Sequence, residues 1–252
     1  MSRSLKKIIY GIFYLAVIAF AGFVFYSSVF KPAPTCSDKV QNQGEAGIDC
    51  GGPCSSCVLQ RLAPLRVLSV NFFGTAAGQT VILADALNPN TDYGAKDSYQ
   101  FLIYNKSNQV IETLVGDAVF RPGEEIRIFS ADATADFKNI GQVGLIFKNT
   151  VWQSTGVPKP DLGLGSDLKT TLVGPSIRVT GTTINRSPWS IDVLKVIAVL
   201  ANKYGIQIFA SQTVVSDLEG GGEAKFSVIF PSDPDLNSVF DPKATQIFFN
   251  AE

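Results

Sequence analysis

The chain has 252 residues, of which 21 are basic and 22 acidic, so its formal net charge is −1 at neutral pH. A charge this small gives no general attraction for polyanions, and we expect no nucleic-acid partner. The sequence contains no histidine. This absence excludes histidine-dependent acid–base chemistry and removes the commonest metal ligand.

A long apolar segment lies close to the N-terminus. Residues 8–30 form a run of 23 without a charged side chain, and Arg3, Lys6 and Lys7 precede it. A helix of this length extends about 35 Å, which is enough to cross a hydrocarbon core of about 30 Å. The basic flank is expected to stay in the cytoplasm. The segment therefore predicts a single-pass helix in the cell membrane, with residues 1–7 cytoplasmic and the rest of the chain extracytoplasmic.

The alternative for residues 8–30 is a cleaved secretory signal. The apolar region of a signal is shorter, about 7–15 residues, and ends at a cleavage site of small residues. Here the run ends in Val29-Phe-Lys-Pro32, which contains no such site. We therefore interpret the segment as an uncleaved anchor whose partner is the lipid bilayer.

All four cysteines, Cys36, Cys50, Cys54 and Cys57, lie in one short polar segment, residues 31–58. An even number of cysteines outside the cytoplasm predicts two disulfides, but three pairings are open and the sequence does not choose between them. A four-thiolate zinc site is an alternative that requires a reducing compartment or the opposite topology. A redox-active Cys54-x-x-Cys57 pair is a second alternative, although no strand–turn–helix pattern surrounds it.

Oxygen-bearing side chains recur every three or four residues in the same segment, at Asp38, Asn42, Glu45 and Asp49. Such a set in a glycine-rich loop suits a hard cation such as Ca²⁺, although the spacing is not that of an EF-hand. The alternative is that these side chains stabilise turns and stay solvated. Residues 36–57 also resemble a short Cys-rich Asp-Cys-Gly-Gly module of secreted and surface proteins.

An internal repeat is the strongest architectural signal. The segments that begin at Asn88 and Asn105 recur at Asn185 and Asn202, in both cases 97 positions later. Within each copy, apolar residues alternate with a period of two, as in residues 99–103, which is typical of half-buried strands. Turn signals every 8–12 residues favour sandwiches of immunoglobulin-like size.

The predicted fold class is all-β, with two tandem immunoglobulin-like β-sandwich domains after one N-terminal transmembrane helix. We expect each domain to bury its own core. The Pro/Gly-rich stretch between them is predicted to be an interdomain linker. The predicted boundaries are a cytoplasmic tail at 1–7, a transmembrane helix at 8–30, a disulfide-rich segment at 31–58, sandwich domains at 59–151 and 167–252, and a linker at 152–166.

The stretch Phe101-Leu-Ile-Tyr-Asn resembles the F-x-L-Y-D signature of the FxLYD domain family. The second copy has Ala198, Ala201 and Asn202 where that motif has Phe, Tyr and Asp. The Asn-Pro-Asn that begins at Asn88 is similar to the N-P-N of late-embryogenesis-abundant type-2 domains and of the related water-stress domain, WHy. These resemblances imply a sandwich domain, often on secreted or membrane-anchored prokaryotic proteins, and they carry over no catalytic residue.

Three functions compete for this sequence. We expect a non-enzymatic interaction or scaffold protein that binds a protein of the cell envelope. A hydrolase of envelope polymers is the second hypothesis, but it requires carboxylates that converge across a cleft, and the clustered acids are those at 124–125 and 233–235. The third is a protective, chaperone-like role, which rests on the water-stress resemblance. Trp152 and Trp189 are candidates for a partner surface, because aromatic residues dominate binding hot spots, and packing in a core or between the domains is the alternative for each.

Overall fold

The structure of the protein is a computed structural model that describes residues 3–29, 35–75, 77–154 and 158–251. The end of the predicted transmembrane segment, Phe30, lies outside these ranges, as do the first two residues of the predicted tail and the last residue of the second predicted domain. Residues 155–157 of the predicted linker also lie outside them. The chain divides into two compact units, Met1–Leu62 and Ala63–Glu252.

The first unit begins with an α-helix, α1, Arg3–Val29. Its apolar side chains are exposed on several sides of the helix: Leu15 is 71% exposed, Ile18 72% and Phe20 70%. Within the described residues, Lys6–Tyr26 is long and apolar enough to cross a membrane by length and composition. A helix that is apolar all round needs an apolar environment, which is either a protein core or lipid.

The second unit is built from antiparallel strands. In chain order, the strands of the described residues are β1 Arg66–Gly74, β2 Thr80–Leu87, β3 Gly94–Asn105, β4 Val110–Phe120, β5 Glu125–Ser130, β6 Ile140–Phe147, β7 Val151–Gln153, β8 Leu162–Leu164, β9 Lys169–Val173, β10 Ser176–Asn185, β11 Ile191–Ala201, β12 Gln207–Leu218, β13 Glu223–Ile229 and β14 Gln246–Ala251. One short helix, α2, Pro234–Val239, and brief 3₁₀ turns at Phe137–Asn139 and Pro242–Ala244 complete this unit, and Leu59–Arg61 forms a similar turn in the first unit.

The strands form four sheets, two from each copy of the repeat. The first copy contributes the sheet β1-β2-β5 and the sheet β4-β3-β6, in which β7 also pairs with β3. The second copy contributes the sheet β12-β11-β14 and the sheet β13-β10-β8, in which β9 also pairs with β10. The prediction of a mostly β chain after an apolar N-terminal helix is confirmed.

The two sheets of the first copy enclose an apolar core. Phe101 and Ile103 of β3 contribute to it together with Ile82 and Ala84 of β2, and all four side chains are fully buried. Phe120 of β4 is almost fully buried in the same cluster. Because successive strand residues point to opposite faces, this core takes every second residue of each strand. The sequence pattern at 99–103 therefore has the predicted cause.

The core of the second copy is continuous with the first copy. Val81 and Leu83 of β2, together with Phe73 of β1, belong to the same buried cluster as Leu200 of β11 and Val179 of β10. The first copy thus has a core of its own residues, as expected, whereas the core of the second copy also takes in side chains of the first copy. The sequence does not reveal the shared cluster, because a strand buried on both faces loses its alternation and reads only as an apolar run.

The two central sheets are buried on both faces. In β2, Ile82 points into the first core whereas Val81 and Leu83 point to the second copy. In β11, Ile197 and Val199 are fully buried, although they lie on the opposite face from Leu200. The sheets therefore stack in four layers, in the order β4-β3-β6, β1-β2-β5, β12-β11-β14, β13-β10-β8.

Polar groups fix the alignment of the two central sheets. The Arg127 guanidinium of β5 lies 3.5 Å from the centroid of the Phe248 ring on β14. Its Nε is 3.2 Å from a carboxylate oxygen of Asp85 on the neighbouring strand β2. The side-chain amide of Asn250 donates a hydrogen bond to the Arg127 carbonyl oxygen. Apolar packing alone tolerates sliding, whereas these directional contacts require one alignment.

The repeated asparagines at 88 and 185 have a structural role. Both are fully buried, and the Asn88 amide donates to the carbonyl oxygens of Tyr93 at 2.7 Å and Arg121 at 3.0 Å. The Asn185 amide donates in the same way to the carbonyl oxygen of Trp189 at 2.8 Å. A buried polar side chain must be paired, and here the pairing joins separate turns of each copy.

The carboxylate of Glu112 on β4 binds the segment that follows β5. Glu112 accepts hydrogen bonds from the backbone N–H groups of Thr134 and Ala135, at 3.0 and 2.8 Å, and from the Thr134 hydroxyl at 2.8 Å. Burial by itself raises the pKa of Glu112, but the Thr134 and Ala135 donors outweigh it and hold the pKa below its ordinary value. The charged form is therefore the one that the fold stabilises.

Replacement of Leu83 by Ala tests the shared core. The substitution removes a buried side chain at the contact between the copies and should destabilise the protein by about 2–5 kcal/mol. Because the core is continuous, hydrogen exchange should accelerate in β11 as well as in β2. Phe101→Ala is the matched control, because it also removes a fully buried side chain, but from the core that only the first copy lines. Native protection in β11 of the Leu83→Ala protein would contradict the shared core.

Replacement of Glu112 by Gln tests the hydrogen bonds that its carboxylate accepts from Thr134 and Ala135. The free energy of unfolding at pH 7 should fall by about 1–2 kcal/mol, because charge-assisted hydrogen bonds are lost. Since the folded pKa is lowered, this stabilisation is complete above the ordinary glutamate pKa and disappears as the pH falls through the folded value. Urea unfolding at pH 7 and pH 3 should show the two proteins converging at low pH. Glu223→Gln on β13 is the control, and an equal difference at both pH values would refute the role of the charge.

Candidate functional site

Two disulfides organise the cysteine segment. Cys36 is bonded to Cys54 and Cys50 to Cys57, with Cα–Cα distances of 5.6 and 4.8 Å. The pairs are 18 and 7 residues apart in sequence. In the chain-entropy account, loops of these lengths stabilise the folded segment by about 3 and 2.5 kcal/mol. With all four sulfurs in disulfides, no thiolate is left for the zinc or dithiol alternatives.

The two glycines after Cys50 are required by the backbone. Gly51 and Gly52 have φ angles of 76° and 58°, in the left-handed region that favours glycine. A Cβ on Gly51 would lie 2.6 Å from the Ala46 Cβ, and one on Gly52 would lie 2.4 Å from the Gly44 carbonyl oxygen. The Cys-Gly-Gly sequence thus has a local steric cause.

The acidic residues of this segment hold backbone N–H groups. The buried Glu45 carboxylate accepts hydrogen bonds from the N–H groups of Asn42 at 3.3 Å and Asp49 at 3.2 Å. The Asp49 carboxylate accepts from the N–H of Lys39, at 3.0 Å to each oxygen. Such contacts let a segment without a core order its own loops.

Asp38 is used in the same way. The Asn42 side-chain amide donates to it at 2.9 Å, and the N–H groups of Val40 and Thr35 donate at 2.9 and 3.2 Å. The amide of Asn42, followed by those backbone donors, lowers the pKa of Asp38. The structure therefore brings Asp38 to Asn42, and Asn42 and Asp49 to Glu45.

Calcium at Asp38, Asn42, Glu45 and Asp49 stays a prediction. In the described part of the chain, the set of Cys, Asp and Glu ligand atoms that lie within 4.8 Å of one another is Cys36, Glu45 and Cys54. Its two sulfurs are joined in a disulfide, so this set offers one carboxylate only. The contacts seen here correspond to the turn-stabilising alternative.

The other clustered acids also have structural contacts. Glu124 is buried, accepts a hydrogen bond from the Arg121 N–H at 2.9 Å and lies 3.5 Å from the Arg121 guanidinium. Asp233 is buried at the start of α2, where it accepts hydrogen bonds from the N–H groups of Asp235 and Leu236 at 2.9 and 3.2 Å. A carboxylate in this position accepts hydrogen bonds from N–H groups that have no partner within the helix.

The two tryptophans lie in different surroundings. Trp152, on β7, is half-buried and packs against the core of the first copy. Trp189 is 36% exposed, in the turn before β11, and its carbonyl oxygen accepts the hydrogen bond from Asn185. Neither lies in the middle of an exposed sheet face.

The most distinctive surface is one that the sequence analysis missed. On β11, Ile197 and Val199 point outward from their own copy and are covered by the first copy. The equivalent residues 97 positions earlier, Gln100 and Leu102 of β3, lie only half-buried on the outermost sheet. The same sheet face is thus covered in the second copy and uncovered in the first. The repeat in the sequence makes these two pairs of residues equivalent, but only the packing shows which copy is covered.

We call this uncovered surface the open face and define it by the outward side chains of β4, β3 and β7, chiefly Leu102, Val115, Val119 and Val151. Val115 is 69% exposed, Val151 59% and Val119 39%. Exposed Lys96 pairs with both Val119 and Val151, and exposed Asp117 lies between Val115 and Val119, so the open face is a mixed surface of exposed valines and charged side chains.

Comparisons with known proteins do not assign the chain to a family. No family model matches it, and no curated protein matches it. Among solved structures it is similar to the crystal structure of red sea bream transglutaminase, with 9% sequence identity and a TM-score of 0.24. That similarity covers 77% of this chain but 30% of the transglutaminase chain. A TM-score this low supports no argument about fold or activity.

The structure makes a prediction about the cysteine segment. Replacement of Asp49 by Ala removes both acceptors of the Lys39 N–H, so the amide of Lys39 should exchange faster in the variant. Because a side chain and not a cation holds this amide, EDTA should leave its exchange unchanged in the native chain. NMR-detected hydrogen exchange with EDTA or Ca²⁺ measures both effects. Slower exchange with Ca²⁺, abolished by Asp49→Ala, would establish the calcium site instead.

Proposed function

We propose that the chain is a single-pass, membrane-anchored interaction or scaffold protein of the cell envelope, with no enzymatic role. In this proposal α1 spans the membrane, the disulfide segment follows it, and the four sheets form two tandem immunoglobulin-like sandwiches outside the cytoplasm. The FxLYD-like and WHy-like resemblances support the sandwich interpretation. The observation that carries the interaction role is the open face.

The anchor is supported by the exposure of α1. Side chains such as Leu15 and Phe20 are about 70% exposed to solvent. Leaving such side chains in water costs about 1.5–3 kcal/mol each relative to burial, so the helix is stable only in a bilayer or against a partner. Arg3, Lys6 and Lys7 at its start favour a cytoplasmic N-terminus.

The extracytoplasmic location is supported by the two disulfides. Disulfides persist in oxidising compartments and are rare in the cytosol. The segment 35–57 has few apolar side chains, and Cys50 is its buried apolar residue. Its order therefore depends on the sulfur bridges and on the carboxylate contacts, and reduction should weaken both. This dependence fits a chain that works outside the cytoplasm.

The interaction role is supported by the contrast between the equivalent sheet faces of the two copies. The open face has apolar side chains at Val115, Val119 and Val151, whereas the equivalent face of the second copy is used for a contact inside this chain. A face that binds a sheet in one copy has the geometry to bind another surface in the other copy. The sequence has no histidine, so histidine-dependent acid–base chemistry is not available to it.

Topology is tested with single introduced cysteines. Ser2→Cys and Ser227→Cys each add one thiol to a chain whose own cysteines are all in disulfides. In intact cells, a membrane-impermeant maleimide should label Ser227→Cys, an exposed position on β13, but label Ser2→Cys only after lysis. Both proteins should keep their full length and stay in the membrane pellet after alkaline extraction.

The reverse labelling pattern would refute the orientation, and loss of the N-terminal residues with release of the chain would show a cleaved signal. Enzymatic alternatives are tested separately, by incubating the full chain with isolated envelope polymers. Release of soluble fragments above the level of a heat-denatured control would show that the class is wrong. No release is expected.

A further inference from the structure

Strand β4 is an edge strand with little protection. In the described part of the chain it pairs with β3 along one side, and no strand pairs with its other side. Natural edge strands usually carry charged side chains, proline or a bulge that prevent pairing with another chain. In β4 the irregularity lies at one end, opposite the step from Ile103 to Tyr104, which leaves the stretch 113–119 regular.

The edge strand of the opposite outer sheet is protected. The outward residues of β13 begin with Glu223 and Lys225, and the sheet order places this strand at an edge as well. The regular stretch of β4 has instead Thr113, Val115 and Asp117 on its outward face, with a single charge among them. Over four outward positions β13 carries two charges, at Glu223 and Lys225, and β4 carries one, at Asp117, so β4 is the less protected edge.

The outward residues of β4 are symmetric about Val115. In an antiparallel pair of two β4 strands centred on this residue, Val115 of one chain faces Val115 of the other. Thr113 then faces Asp117 on both sides of the centre, so that a hydroxyl donor meets a carboxylate acceptor. Apolar and hydrogen-bonding cross-strand pairs of this kind stabilise sheets, whereas like charges directly opposite each other destabilise them.

Charge favours this alignment over its neighbours. Centred on Val115, the two Asp117 carboxylates are four positions apart, roughly 14 Å, which exceeds the screening length of about 8 Å at physiological salt. Centred on Asp117, the two carboxylates would face each other directly. Centred on Gly116, each Asp117 would face an apolar Val115.

We propose that two copies of this chain associate through antiparallel pairing of their β4 strands, with Val115 at the two-fold axis. The two outer sheets then join into one continuous sheet in the order β6-β3-β4-β4-β3-β6. An isologous contact of this type closes on itself and gives a dimer and not a filament. Association in the membrane is not required, although a shared bilayer raises the local concentration of β4.

Cysteine pairs test the alignment in the full chain, purified in detergent micelles. Opposing residues of an antiparallel pair have Cα atoms about 4.5–5.5 Å apart, which is the distance that a disulfide needs. Under mild oxidation, Val115→Cys should form a covalent dimer by itself. Thr113→Cys and Asp117→Cys should each stay monomeric alone and should form a covalent dimer when mixed.

The control for this test is Ser227→Cys, an exposed outward position on the protected edge strand β13, which should not cross-link. Cross-linking of Val115→Cys only with Asp117→Cys would show pairing centred on Gly116 and overturn the proposed alignment. Equal cross-linking of all variants, or none, would overturn the pairing itself.

Association without cross-linking is measured by sedimentation velocity. A lysine at the two-fold axis puts two like charges opposite each other, so Val115→Lys should weaken the dimer at least tenfold. Ile229→Lys, at an exposed apolar position on β13, should leave it unchanged, and circular dichroism should show that both variants are folded. A monomeric native chain, or a dimer that Val115→Lys does not weaken, would refute the proposal.

Discussion

The contact between the two central sheets determines the architecture of the β region. Val81 and Leu83 of β2 point away from their own copy and are buried against the second copy. Ile197 and Val199 of β11 do the same in the opposite direction and are fully buried. A strand buried on both faces has no surface left for solvent, so each copy depends on the other to cover it. The two copies of the repeat are therefore one structural unit.

This contact also gives a physical reason for one difference between the two copies. Both copies keep the buried asparagine, at 88 and 185, whose amide joins the turns around the sandwich. The equivalent faces of β3 and β11, in contrast, have different surroundings, because only the face of β11 is covered by the other copy. The half-buried pair Gln100 and Leu102 includes a polar residue, whereas Ile197 and Val199 are both apolar and fully buried. The uncovered position is where a binding surface has room to develop.

The disulfide segment follows a different physical rule from the β region. Its two bridges and its carboxylate contacts replace the apolar core that it does not have, because short segments without a core need covalent staples. Glu45 and Asp49 each accept backbone N–H groups, so their charges serve the fold of the segment itself. A cation at this segment would have to compete with these donors. The segment is thus ordered by local chemistry and the β region by burial.

The sequence by itself determined the features that depend on local chemistry. The apolar run at 8–30, the strand alternation at 99–103 and the period of the repeat each follow from properties of neighbouring residues, and the described structure has an apolar helix and antiparallel strands there. The tertiary structure decided the pairing of the disulfides, the shared core of the two copies and the exposure of Val115. These features depend on which distant surfaces meet. The apolar run of β2 indicates burial on both faces but does not identify the sheet that covers it, so the sequence does not reveal which surfaces meet.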